Sequence, residues 1–292
     1  LYQTSNLLRA DYMHAGWQMT TDHPLFGVGM DSYGDWYRQA RGEITTLRGS
    51  ADRISNAAHN IYLDFSSNGG FPLLFAYLSL IAYAAFCFIR ASKNVPTGKF
   101  DPILTGVGAT WFAYQIQALV SINQVGVGVW GWLFSGILIG YAKSNGFKDK
   151  DAEKNTFTSS SYSKLRGSLL PPIQSLVAVA GLAVGFFISW YPIKADAAYF
   201  AASKTRSLEQ IIPATRQLGS TVWHSEMALD AAIRIPANQQ AREIALYILQ
   251  KNPRNFFAWK AIWLLPNSSE EERRLALDKL RSLDPFNPEF KS

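Results

Sequence analysis

The sequence predicts an all-α protein: polytopic membrane helices, an extracytoplasmic loop domain and a C-terminal helical repeat domain. Three observations predict it. Four apolar runs, at 71–89, 102–122, 125–142 and 173–193, contain no Asp, Glu, Lys or Arg. Each is near the ~20 residues a helix needs to cross ~30 Å of hydrocarbon, and inside lipid only a helix of this kind satisfies its own backbone. Basic residues gather in alternate connections between the runs. Beyond residue 194 the chain turns polar and amphipathic, with an internal echo. The whole-chain values, 48% hydrophobic and net charge +6 over 292 residues, average these segregated parts.

Residues 1–70 read as the extracytoplasmic loop domain. Leu8, Tyr12, Ala15 and Met19 recur at helical spacing and predict a short amphipathic helix over 5–21. The stretch "DHPLFGVGMDSYG" follows as a Pro/Gly turn region. Its GxG has no strand-then-helix context, so it is not read as a phosphate cradle.

Residues 71–142 hold three predicted membrane helices. Pro72 suits the first turn of the first one, where a missing N–H costs nothing. Gly126, Gly128, Gly131, Gly136 and Gly140 line the third, with Gly136 and Gly140 in GxxxG spacing, which allows close helix packing. Residues 143–171 read as a Lys/Ser/Asp-rich cytoplasmic linker, and 172–193 as the fourth membrane helix.

Orientation follows from Lys and Arg, which accumulate on the cytoplasmic side. Arg90, Lys93 and Lys99 lie between the first two helices, and Lys143, Lys148, Lys150, Lys154, Lys164 and Arg166 between the last two, while "SINQ" at 121–124 is uncharged. One topology satisfies all three connections: multi-pass in the plasma membrane, with 1–70 and 194–292 extracytoplasmic. Residue 1 is Leu and the first apolar run begins only at 71. The expectation is therefore a C-terminal fragment of a longer enzyme, with further membrane helices upstream.

In the tail, 194–292, apolar residues recur at helical spacing over 241–250 and 272–283. "KNPRNFFAWKA" is echoed by "LDPFNPEFKS", with Pro253 and Pro285 32 positions apart. That is close to the ~34-residue period of tetratricopeptide repeats. Such an array either presents a surface to a protein partner or only caps the outer face of the membrane domain.

Cys87, the single cysteine, lies within an apolar run, which excludes an intrachain disulfide and reads as a buried apolar side chain. His14, His23 and His224 lack metal-ligand spacing. No metal, cofactor or nucleic-acid partner is expected.

Arg9, an aromatic three positions on, "HPLFGVGMDSY", then "AHNIYL" and a glycine before a membrane helix together resemble the O-antigen ligase and O-antigen polymerase-like superfamily, which includes O-linked protein oligosaccharyltransferases. The resemblance covers residues 1–142. It implies a membrane glycosyltransferase that moves a glycan from a polyprenyl diphosphate donor to an acceptor hydroxyl outside the plasma membrane, without nucleotide sugar or required metal. The acceptor is a glycan, lipid or protein. The family's loop arginine falls on Arg9 and its loop histidine on His59. Where many relatives carry an acid two places before the glycine, this chain has Asn68 before Gly70.

The chemistry of these side chains suits the implied roles. A guanidinium offers charged, bidentate donors to a leaving diphosphate, and Arg9 is the candidate. Imidazole is suited to take an acceptor hydroxyl's proton near neutral pH, and His59 is the candidate. Arg48 and Arg53 can also grip diphosphate, and Asn60 and Tyr62 can orient the histidine or the acceptor. The plainer readings are a capping or hydrogen-bonded histidine, a solvated Arg9 or one anchored to lipid phosphate, and an interfacial tyrosine. A reading of another class is a non-catalytic membrane scaffold that uses the repeat tail.

Overall fold

A computed structural model describes residues 2–48, 50–145 and 172–291. Among these residues the regular structure is all helical, with no strand. It divides into two units: 1–155 together with Asp284–Ser292, and Thr156–Leu283. The expected linker lies, from residue 146 on, outside the described residues.

In the first unit, α1 (Tyr2–Asp22) covers the predicted 5–21 helix and buries Ala15 and Met19. The Pro/Gly stretch is a turn region, after which come α2 (Tyr33–Ala40) and α3 (Glu43–Arg48). Ala15, Met19, Tyr33, Tyr37 and Ala58 form a small core between α1, α2 and the entry to the next helix.

That helix, α4 (Ile61–Lys93), is broken at Gly70, whose φ of 71° and ψ of −176° are open to glycine but costly to other residues. The break puts Pro72 in the first turn of the apolar half, as the sequence predicts. Helices α5 (Pro102–Ala118) and α6 (Val125–Asn145) pack with that half around Ala84, Cys87, Leu104, Trp111 and Leu138. Cys87 is buried there. Trp111 Nε1 donates to Ser135 Oγ at 2.9 Å, joining α5 to α6 without leaving either polar group bare.

Close packing on α6 is made at a different glycine from those the GxxxG spacing names. Nothing lies within 4 Å of where a Cβ would stand at Gly136 or Gly140, whereas a Cβ at Gly131 would sit 2.2 Å from the Tyr114 ring. The large ring of Tyr114 fills the notch at Gly131, so this position sets the approach of α5 and α6.

Among the described residues two helices are long and apolar enough to cross a membrane: α4, and residues Ser175–Ser203 of α7 (Pro172–Ser203). The other two predicted runs are helices as well, α5 with 17 residues and α6 with 21. Helix α7 continues about three turns past the predicted end at 193, to Ser203.

In the second unit, α8 (Leu208–Thr215), α9 (Val222–Arg234), α10 (Asn238–Lys251), α11 (Phe256–Leu264) and α12 (Glu270–Leu283) pack each against the next. Their core holds Leu229, Ile244, Ile248 and Ile262. His224 is structural: its Nδ1 accepts from the Thr221 backbone N–H, closing the start of α9. The echoed phrases fold alike. Asn252-Pro253 ends α10 and buried Asn255 accepts from Ala258 N, while Asp284-Pro285 follows α12 and buried Asn287 accepts from Glu289 N.

Candidate functional site

The site is assembled where the turn region, the 51–60 loop and α1 meet the head of α4. Backbone hydrogen bonds fasten the turn region to α4: Val28 N–H donates to Ser67 O at 2.8 Å, Gly29 N–H to Asn68 O at 3.1 Å, and Phe71 N–H to Pro24 O at 2.8 Å. Glycines permit this approach. A Cβ on Gly27 would stand 2.4 Å from the Asn68 carbonyl carbon, and one on Gly70 would stand 2.6 Å from Pro24 O. The separated "HPLFGVG" and "NGG" stretches are thus two sides of one backbone contact.

His59 sits above this contact with a left-handed φ of 56°, a conformation His adopts more readily than most residues but one that still costs about 1–3 kcal/mol. Both flanks hold it there. The buried Asp64 carboxylate accepts from Ala58 N–H at 2.6 Å. Asn60 caps α4 by accepting from Tyr62 N and Leu63 N, and its Nδ2 donates to Leu119 O at 3.0 Å. With its backbone fixed from both sides, the imidazole lies stacked on Tyr12, ring centroids 5.1 Å apart.

Tyr12 lies one helical turn beyond Arg9, so α1 presents both on the side toward His59. The half-buried imidazole is held below its ordinary pKa, first by burial and second by the charge of Arg9. Both causes disfavour a second positive charge, so His59 is neutral at neutral pH. The structure therefore puts Arg9 near enough for its charge to act on His59, whose ring also stacks on Tyr12.

The other predicted residues are placed around this pair. Arg48 forms an ion pair with Asp11 at 3.4 Å. Arg53 lies near enough to Tyr37 for its charge to act on that phenol, and its Nη1 is buried without a hydrogen-bond partner. Tyr37 in turn meets Tyr12 edge-on at 5.6 Å. Burial, more than any charge, raises the Tyr37 pKa to about 12, so this ring is a neutral wall. Asn60 and Tyr62 engage α5: Asn60 as described, and Tyr62 through its hydroxyl to Gln115 Oε1 at 2.9 Å. Asn68 donates through Nδ2 to Asp64 O at 2.7 Å, while its buried Oδ1 lacks a partner.

Several supporting contacts have little or no signal in the sequence. Tyr12 is the aromatic three positions beyond Arg9, but its stacking on His59 is visible only in the structure. Asp64 follows His59 by five residues, and an acid in the first turn of a helix was the available signal. Arg38, Arg41 and Asp284 had no local signal. Arg41 Nη2 donates to both Asp284 oxygens, at 2.9 and 2.7 Å, and Arg38 Nη1 donates to Asp284 Oδ2 at 3.1 Å, all buried. The same guanidiniums hold the 51–53 loop through the carbonyls of Ala51, Asp52 and Arg53. The segment that carries Arg53 toward Tyr37 is thus pinned by charges whose carboxylate partner lies more than 240 positions away.

Residues 2–78 match the family model described as O-antigen ligase. All six predicted site residues, Arg9, Arg48, Arg53, His59, Asn60 and Tyr62, fall inside that span. The match makes this segment similar to the O-antigen ligase superfamily. No curated protein and no solved structure matches the chain.

Proposed function

We propose that this chain carries the catalytic loop of an O-antigen ligase-type glycosyltransferase, moving a glycan from a polyprenyl diphosphate to an acceptor hydroxyl at the outer face of the plasma membrane. The observation that carries this reading is the convergence of Arg9, Tyr12 and a neutral, backbone-locked His59 at the head of a membrane-length helix, within the family-matched segment.

In the proposed reaction the acceptor oxygen forms a bond to the anomeric carbon as the bond from that carbon to the diphosphate oxygen breaks. The acceptor's proton passes to the His59 imidazole. The diphosphate leaves with the electron pair, and the Arg9 guanidinium meets the charge that develops. Arg48 and Arg53 add positive charge around α1, while Asn60 holds the histidine loop and Tyr62 braces α4 against α5. The donor's diphosphate lies where lipid tail meets water, which is why the base belongs at a helix entry.

In this reading α4, α5, α6 and α7 all span the membrane. The connections holding Arg90, Lys93 and Lys99, and Lys143 onward, face the cytoplasm. Residues 1–70 and 194–292 face outward. The tail acts as a tetratricopeptide-like module for a protein acceptor or partner, in keeping with α9 and α11 beginning 34 positions apart. Polymerase and protein O-oligosaccharyltransferase activities share the same donor chemistry and differ in acceptor.

The test is glycan transfer by membranes from cells expressing the complete gene, with Arg9→Ala and His59→Asn compared at matched abundance. Loss in both supports the assignment. Undiminished transfer in both, with loss on deleting 195–283, would replace the enzyme by a scaffold.

A further inference from the structure

The turn region beside the site exposes its largest apolar side chains. Leu25 is 65% exposed, Phe26 84% and Met30 71%, although the backbone of the same loop is bonded to α4 through Pro24, Val28 and Gly29. The loop's shape is therefore specified while its apolar tips are left uncovered. Apolar side chains grouped in this way on a rigid support mark a contact surface.

Position identifies the partner. Phe71 N–H donates to Pro24 O, so the loop is fixed at the residue where the apolar half of α4 begins. Trp17, also half-exposed, meets Phe71 edge-on at 6.3 Å, and Phe71 stacks with Phe75 at 6.1 Å. This aromatic strip runs from α1 onto the exposed lipid-length helix without a break. Tryptophan is favoured at the boundary between hydrocarbon and water. Exposed Asp22 and Asp31 bracket the apolar tip and would remain in water while it enters the boundary.

We propose that Leu25, Phe26 and Met30 form a wedge inserted into the lipid interface beside the head of α4, seating the His59 loop at the bilayer surface. The proposal rests on α4 crossing the membrane and is independent of the chemistry assigned to Arg9 and His59. A bilayer satisfies all three apolar tips at once and is continuous with the surface that α4 itself requires. Held this way, the site meets the head of a lipid-linked substrate without the substrate leaving the membrane.

The experiment places a nitroxide label at Phe26→Cys, Phe75→Cys or Ser50→Cys in the full chain carrying Cys87→Ala, or Cys87→Val if the alanine form does not fold. The protein is reconstituted in vesicles of phosphatidylethanolamine and phosphatidylglycerol, and collisions with oxygen and with a nickel chelate are measured. The expected oxygen-to-nickel ratio at 26 is several-fold above that at 50 and approaches that at 75. A label at 26 as open to nickel as the one at 50 would overturn the proposal, as would one shielded from both reagents, which would mean that protein covers the wedge. A water-like reading at 75 would instead remove the spanning role of α4.

Discussion

Replacing His59 by asparagine separates its chemistry from its conformation. The left-handed φ of 56° is one that Asn also adopts, whereas Ala meets a penalty of about 1–2 kcal/mol there. His59→Asn therefore keeps the bracket made by Asp64 and Asn60 and deletes only the imidazole. The lost stacking on Tyr12 lowers stability by about 0.5–1.5 kcal/mol. Loss of a general base lowers transfer by about 10²–10⁴-fold, which is about 3–5 kcal/mol at the transition state. His59→Ala should show the same rate loss with a further drop in stability. The assay is glycan transfer in membranes at matched abundance, with thermal unfolding in detergent recorded alongside. Transfer by His59→Asn within about two-fold of the unmodified protein would refute a base role for this residue.

Other consequences follow from the same geometry. Because burial and then Arg9 hold His59 below its ordinary pKa, and a base works unprotonated, the acid limb of transfer should fall below pH ~6.5. Arg9→Ala should cut transfer by about 10²–10³-fold and move that limb toward alkaline pH; a pH–rate profile checks both, and an unmoved limb would mean Arg9 does not act on His59. Asp284→Ala leaves the Arg38 and Arg41 charges buried without their carboxylate and should cost about 3–5 kcal/mol, against under about 1 kcal/mol for Lys291→Ala, whose partner Glu43 is solvent-exposed; thermal unfolding in detergent separates them. Gly131→Ala should loosen the α5–α6 contact by driving a methyl into Tyr114, whereas Gly136→Ala should change unfolding by no more than about 1 kcal/mol because that position is open.

Much of the fold was legible because apolar content and helical spacing are local properties. Each run free of charged residues became a helix, α1 buried Ala15 and Met19 of the four residues its periodicity named and half-buried Leu8 and Tyr12, and the Pro/Gly stretch made the turn between α1 and α2. The Gly70 break was readable in outline from Pro72, which belongs in a first turn. At the site, the family resemblance named Arg9 and His59, and Arg9 lies near enough for its charge to act on the imidazole. The small residues of α6 record where close approach is possible; the ring of Tyr114, on another helix, decided that it happens at Gly131 rather than at the GxxxG pair.

The sequence by itself determined the helical class, the membrane-length segments, the basic connections between them and the chemical kinds of residue in the outer loop. These depend on composition and spacing along contiguous stretches of chain, about 20 residues at most. Only the tertiary structure decided which residues share a neighbourhood: Tyr12 against His59, Asp64 holding the Ala58 N–H, the turn region bonded to Ser67, Asn68 and Phe71, and Asp284 between Arg38 and Arg41. The physical reason is that burial and charge act through space. A carboxylate more than 240 residues along the chain fixes a loop, and burial, with an arginine fifty positions away as the second cause, lowers the pKa of an imidazole; neither effect can be read from the residues next to the group it acts on.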